Sequence, residues 1–162
     1  MLTDKFPHLK GLILDMDGVL WRDTQPIGDL PALFRKISDL GLSYVFATNN
    51  ATKTAAEYQE KLRGFGLSVK EEHIITSAGT TALYLQNHYP EGTCVYVVGS
   101  DSLKLVLQEH GFTISQEDNY HDAKIIVVGM DVRLTYQKIR NAALLARAGA
   151  PFIATNADAT FP

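Results

Sequence analysis

The sequence is poor in the residues on which several classes of protein depend. Cys94 is its single cysteine, which excludes an internal disulfide and a cysteine-based zinc site and agrees with a reducing compartment. The five histidines show no HxxxH spacing, so they give no support to a histidine zinc site. The 15 Lys and Arg against 18 Asp and Glu form no basic cluster, which argues against a nucleic acid or an anionic membrane surface as the main partner.

Signals for export and for nucleotide binding are also missing. The stretch MLTDKFPHLK carries charges and a proline where a signal peptide needs an apolar run, and no apolar stretch reaches membrane-spanning length. We therefore expect a cytoplasmic protein without a membrane partner. The sequence contains no GxxxxGK[ST] loop, and GFGLS at Gly64 lacks the third glycine of a dinucleotide fingerprint, so nucleotide-cofactor chemistry is not expected.

Short apolar runs alternate along the chain with segments of helical period, which predicts an α/β fold. The first run, Gly11 to Leu14, is continuous and aliphatic, and we expect a strand buried on both faces. The segment DLPALFRKISDLG then has apolar residues at helical spacing, and a second strand is predicted from Tyr44 to Ala47. After the link NHYPEGT the pattern begins again with CVYVV, which predicts a second α/β unit.

Two carboxylates, Asp15 and Asp17, follow the first predicted strand. Because side chains alternate along a strand, we expect both to project to one side at its carboxyl end, where open parallel sheets bind their ligands. Two carboxylates so close repel each other, and keeping both is costly unless a cation lies between them or one holds a proton. A hard divalent ion such as Mg²⁺, held by few protein oxygens and several waters, would resolve this repulsion.

Polar and flexible residues surround the two acids. Gly18 allows a sharp turn and is expected to expose its N–H to a bound group, and Thr48 and Asn49 offer a hydroxyl and an amide that suit phosphate oxygens. Thr48 lies about one βαβ unit after Asp15, so the two strand ends can be neighbours. A DxDG tetrapeptide alone is a weak signal, however, since an acid at a strand end is often a turn former.

These segments together resemble a known family. DMDGVLW and ATNNATKT are similar to the first two motifs of the haloacid dehalogenase (HAD) superfamily. PIGDL, ITSAGTTALYL, VVGMD and ATNAD are similar to segments of its subfamily IIA, the NagD-like and 4-nitrophenylphosphatase-like phosphatases. The resemblance implies a partial, three-layer Rossmann-like core interrupted by an α/β cap domain of the C2 type. We expect the core segment at residues 1–79 and an incomplete cap at residues 80–162.

The resemblance also implies roles for individual residues. Asp15 would be the nucleophile that forms an aspartyl-phosphate, and Asp17 would protonate the leaving group and then activate water. Mg²⁺ would be bound by the Asp15 carboxylate and the Asp17 main-chain carbonyl. Thr48, Asn49 and Gly18 would bind the phosphoryl group of a small phosphorylated metabolite.

Three further polar residues are candidates in the predicted cap. Asp131, Asn156 and Asp158 follow predicted strands, and we interpret them either as contacts to the substrate or the core, or as turn formers. Trp21 lies in the predicted flap after the two acids, where it would shield the site or pack under the cap. The resemblance also suggests a homodimer formed through the cap.

The sequence departs from the family pattern in one respect. The family has a lysine in a third motif and acids in a fourth, GDxxxTD-like motif, whereas the only Gly-Asp pair here is Gly28-Asp29, far too early in the chain. We therefore expect a truncated chain that binds Mg²⁺ weakly and has little phosphatase activity alone. The alternatives are a receiver-type domain that accepts a phosphoryl group without turnover and a non-catalytic binding or assembly module.

Overall fold

Two α/β units form the computed structural model of the chain, which describes residues 5–158. The first unit contains residues 5–48 together with Ala55–Ile75. The second contains Asn49–Thr54 and residues 76–158. Within residues 5–158, none of the helices combines the length and the apolar composition that spanning a bilayer requires.

The first unit is built on a three-stranded sheet and two helices. Its elements are β1 (Gly11–Asp15), β2 (Trp21–Arg22), β3 (Gln25–Pro26), α1 (Leu30–Asp39), β4 (Ser43–Thr48), α2 (Ala55–Gly64) and β5 (Ile74–Thr76). The strand order of the sheet is β1-β4-β5, and β2 and β3 form a separate antiparallel pair. In the chain α1 lies between β1 and β4, and these two strands pair in parallel. The three elements therefore form the predicted βαβ unit.

The limits of α1 follow from local sequence signals. The Asp29 carboxylate accepts a hydrogen bond from the Ala32 N–H at 2.9 Å, and Pro31 lies in the first turn. Just after the helix, Gly41 has a φ of +67°, a left-handed conformation that glycine adopts without strain. The residues that α1 buries in the core of this unit are Leu30, Phe34 and Ile37. The predicted helix is thus confirmed.

The prediction that the first strand is buried on both faces is wrong. Leu12 and Leu14 of β1 pack against the core of the first unit, but Ile13 between them is 77% exposed. Ile75 of β5 is 45% exposed. The reason is that α1 and α2 bury their apolar residues in the same core cluster, and no described element of the first unit covers the other face of the sheet.

The second unit has three layers. Its elements are α3 (Ser77–His88), β6 (Cys94–Val98), α4 (Asp101–Glu109), β7 (Thr113–Ile114), β8 (Ile125–Val128), α5 (Tyr136–Arg147) and β9 (Phe152–Ala154). The four strands are parallel in the order β7-β6-β8-β9. Apolar residues of α3 and α4 pack against one face of this sheet, and those of α5 pack against the other. This parallel sheet between helices confirms the predicted α/β class.

A hydrogen-bonded polar group lies on the α5 face of the second sheet. The Tyr96 hydroxyl, buried in β6, donates to the Glu117 carboxylate at 2.9 Å. The Asn141 amide of α5 donates to the same carboxylate at 3.2 Å and to the Glu117 carbonyl at 3.1 Å. Burial, assisted by the hydrogen bond to Glu117, raises the pKa of Tyr96 from 10.0 to about 12.

This raised pKa predicts a loss of stability in alkali. The folded chain holds the Tyr96 proton more tightly than the unfolded chain, so the stabilisation is complete below pH 10 and is lost as the pH rises toward 12. In Tyr96→Phe this ionisation does not occur. Urea unfolding at a series of pH values should therefore show a steeper alkaline loss for the wild type than for Tyr96→Phe. Parallel losses would contradict the prediction.

Candidate active site

The predicted nucleophile lies at the accessible end of the first sheet. Asp15 is the last residue of β1, is exposed, and pairs with Ala47 of β4. Thr48 follows at the same end of β4 and is 8% exposed. The spacing of the two motifs predicted that these strand ends are neighbours, and the register confirms it. A carboxylate and a hydroxyl therefore lie at the carboxyl ends of two adjacent parallel strands, where α/β sheets bind ligands.

Asp17 is placed by a turn and not by the strand. Leu20 N–H donates to the Met16 carbonyl at 2.9 Å, and Gly18 N–H donates to the Trp21 carbonyl at 2.8 Å. Gly18 has a φ of +81°, as this turn requires. Alternation of side chains along the strand therefore applies to Asp15 but not to Asp17. Since the Gly18 N–H closes the turn, it is not free in this conformation for the phosphate contact that was expected of it.

The Asp17 carboxylate is hydrogen-bonded on both oxygens. The Trp21 indole N–H donates to Oδ1 at 2.7 Å, and the Tyr58 hydroxyl donates to Oδ2 at 3.0 Å. Trp21 is fully buried in the core of the first unit, and its indole N–H reaches the predicted site through this hydrogen bond. Tyr58 was not among the residues predicted for the site, and it reaches Asp17 from α2.

The oxygens of this turn suit a hard cation. The Asp15 carboxylate is exposed, and the Asp17 main-chain carbonyl offers a second oxygen, while each oxygen of the Asp17 carboxylate already accepts one hydrogen bond. Oxygen donors of this kind fit Mg²⁺, which keeps several waters. Residues 5–158 contain no group of three or more His, Cys, Asp and Glu that could hold a metal. A cation here would thus be held by few protein atoms.

A cavity of about 290 Å³ lies in the second unit, at the carboxyl ends of β8 and β9. Its lining residues are Asn49, Asn50, Ala51, Val128, Gly129, Met130, Ala154, Thr155, Asn156 and Asp158. The Asn49 amide donates to the Asp158 carboxylate at 2.6 Å, and the Asn156 side-chain oxygen accepts from the Asp158 N–H at 2.9 Å. The structure therefore brings three of the predicted site residues together at one cavity.

Asp131 does not line this cavity. Its side chain is 4% exposed and accepts a hydrogen bond from the Lys138 ammonium at 2.7 Å. Its second oxygen accepts from the Arg133 N–H at 2.8 Å, while Lys138 also donates to the Arg133 carbonyl at 3.1 Å. The carboxylate thus closes the loop between β8 and α5. Of the two interpretations of Asp131, the geometry supports the turn former, and substrate contact is no longer assigned to it.

Comparisons with known proteins point to one family. The profile of the haloacid dehalogenase-like hydrolases matches residues 12–113. An acid sugar phosphatase of Staphylococcus epidermidis is 32% identical over 155 residues, which are 96% of this chain and 58% of that protein. The chain thus spans about 58% of the length of such curated relatives.

Solved structures agree with this assignment. A p-nitrophenyl phosphatase from Archaeoglobus fulgidus matches with a TM-score of 0.87 and 31% identity, over 95% of this chain and 57% of that one. NagD from E. coli K-12 matches with a TM-score of 0.80 and 32% identity, over 94% of this chain and 59% of that one.

Proposed function

Because the chain belongs to the haloacid dehalogenase-like hydrolases, in their NagD-like branch, we propose that it is a phosphatase that hydrolyses the phosphomonoester of a small metabolite. The observation that carries the proposal is the exposed Asp15 carboxylate at the carboxyl end of β1, one strand away from Thr48. The relatives named as phosphatases support a phosphomonoester as the substrate class.

The reaction has two steps. A carboxylate oxygen of Asp15 attacks phosphorus, the ester P–O bond breaks, and the leaving oxygen takes a proton from Asp17. Asp17 then accepts a proton from water, whose oxygen attacks phosphorus and breaks the bond to Asp15. Inorganic phosphate is released, the Asp15 carboxylate is restored and Asp17 holds its proton again. Thr48 and Asn49 would hold the phosphoryl oxygens by hydrogen bonds.

Mg²⁺ is the cofactor of this proposal, since phosphatases of the family use a divalent metal. The Asp15 carboxylate and the Asp17 main-chain carbonyl would hold it. When bound, the ion supplies positive charge that lowers the repulsion between an anionic nucleophile and an anionic phosphate.

Two further predictions are unchanged. They are the division into a core segment and a cap between residues 79 and 80, and a homodimer formed through the cap.

The activity of the 162-residue chain alone is expected to be low, because its sequence lacks the third-motif lysine and the fourth-motif acids. The test therefore uses the chain in excess over 4-nitrophenyl phosphate and follows a single turnover with and without Mg²⁺. We expect Mg²⁺-dependent release of nitrophenol under these conditions and slow steady-state turnover. If no nitrophenol is released even with protein in excess, the proposed function is wrong for this chain.

We propose that Asn156 and Asp158, which line the cavity of the second unit, contact the organic part of the substrate. The Asn156 and Asp158 side chains offer donors and acceptors that suit hydroxyl groups, whereas Met130 and Val128 of the same cavity provide apolar contact. A polyhydroxylated substrate such as a sugar phosphate would use these polar groups. A nitrophenyl group has no hydroxyl for them.

Asp158→Ala should therefore discriminate between substrates. The concentration of a sugar phosphate that gives half the maximal single-turnover rate should rise about 10-fold, because one or two hydrogen bonds to the sugar are lost. The corresponding value for 4-nitrophenyl phosphate should change by less than about 3-fold. Asp118→Ala is the matched control, because Asp118 is an exposed acid of the same unit outside the cavity. Equal changes for both substrates would refute the assignment.

A further inference from the structure

The two hydrogen bonds to Asp17 come from side chains that cannot easily move. Trp21 and Tyr58 are both fully buried, with ring centroids 6.2 Å apart. The Trp21 ring also packs against Phe65 at 5.6 Å, and the Lys61 ammonium lies 4.3 Å from its centroid. The indole and the phenol therefore reach Asp17 from two separate elements, β2 and α2, that the core holds in place.

Asp17 differs in this respect from four other polar side chains in turns and at a helix N-terminus. Asp29, Asn50, Asp131 and Asn156 each accept a hydrogen bond from a main-chain N–H two or three residues further on. Asp17 instead accepts from the side chains of Trp21, four residues further on, and Tyr58, 41 residues further on, one on each oxygen. Asp101 also accepts a side-chain hydrogen bond on each oxygen, but that carboxylate and its partner Arg133 are exposed, whereas Trp21 and Tyr58 are fully buried. A turn former needs no such pair of donors. Two donors on opposite oxygens fix the rotation of the carboxylate about both of its side-chain bonds.

We infer that Trp21 and Tyr58 are positioning residues that hold the Asp17 carboxylate in the orientation needed for proton transfer to and from the leaving oxygen. The inference rests on the proposed function, in which Asp17 exchanges that proton. Each carboxylate oxygen has a further lone pair, so the hydrogen bond from an aromatic donor does not prevent it from carrying the proton. Without one donor the carboxylate is free to rotate, and fewer encounters have the geometry for transfer.

The kinetic test is Tyr58→Phe, which removes one hydroxyl and keeps the ring. Nitrophenolate leaves without a proton, whereas an alkoxide needs one. Single-turnover release from glycerol phosphate should therefore fall about 10-fold to 100-fold, and release from 4-nitrophenyl phosphate less than about 3-fold. Tyr44→Phe is the matched control, because the Tyr44 ring also packs in the core of the first unit, and it should change neither rate. Equal losses with both substrates would show a purely structural role and overturn the inference.

A second readout does not depend on activity. Trp21 is the only tryptophan, so the chain has a single indole N–H resonance. This resonance should shift in Asp17→Asn, which exchanges the charged acceptor for a neutral amide, and shift less in Tyr58→Phe. It should be unchanged in Tyr44→Phe.

The two readouts separate the possible failures. An indole resonance that does not respond to Asp17→Asn overturns the positioning contact, whatever the kinetics show. If Asp17→Asn shifts the indole resonance but the wild-type chain releases neither alcohol nor phenol, the proposed function and its proton-transfer step are overturned. The contact between Trp21 and Asp17 is then still shown.

Discussion

Asp15→Asn should abolish transfer of phosphate from a phosphomonoester to the protein and lower single-turnover release at least about 1,000-fold. The amide has nearly the shape of the carboxylate but lacks the charged oxygen that attacks phosphorus. Since Asp15 is exposed at the end of β1, its replacement leaves the packing of the first unit intact. The measurement is release of nitrophenol from 4-nitrophenyl phosphate with the variant in excess.

Asp39→Asn is the control for this variant, because Asp39 is an exposed acid at the end of α1 in the same unit. We expect it to retain the wild-type rate. Urea midpoints of both variants should match the wild type, which would exclude unfolding as the cause of the loss. An Asp15→Asn protein that keeps a tenth or more of the wild-type rate would contradict the role of nucleophile.

Asp131→Ala should destabilise the second unit by about 2 to 3 kcal/mol, because it removes one partner from a largely buried ion pair. The Asp131 side chain is 4% exposed and that of Lys138 is 15% exposed, so the variant leaves a largely buried ammonium without its counter-ion. The hydrogen bond from the Arg133 N–H is lost as well. Chemical unfolding of the variant measures the loss.

Two further variants identify the ion pair as the cause. Asp131→Ala combined with Lys138→Met should be more stable than Asp131→Ala alone, because no uncompensated charge stays buried. Glu60→Ala removes one partner of the exposed pair with Arg63, and it should cost less than about 0.5 kcal/mol. If Asp131→Ala is no more destabilising than Glu60→Ala, the loop does not depend on this ion pair.

Local and periodic features of the fold could be predicted from the sequence. The helix α1, with its Asp29 cap and its stop at Gly41, follows from short-range signals. The position of Asp15 and Thr48 on neighbouring strand ends follows from the length of one βαβ unit. The exposure of Ile13 could not be predicted, because an aliphatic strand has the same pattern whether one or both faces of its sheet are covered.

Contacts between distant parts of the chain escaped prediction for another reason. Tyr58 reaches Asp17 from α2, and Asn49 meets Asp158 across 109 positions of sequence. Neither pair has a recognisable spacing, since each depends on how separate elements pack. Asp131 had two interpretations from its sequence, and only its distance to Lys138 distinguishes them.

The central claim is that Asp15 carries the phosphoryl group, and the most direct measurement is to trap it there. Asp17→Asn should form the aspartyl-phosphate from 4-nitrophenyl phosphate, whose leaving group needs no proton, but should hydrolyse it slowly. After an acid quench and borohydride reduction, peptide mass spectrometry should find the reduced residue at position 15, and Asp15→Asn should show none. Hydrolysis by the wild type with no modification at Asp15 in the trapping variant, or with the modification at another residue, would contradict the account.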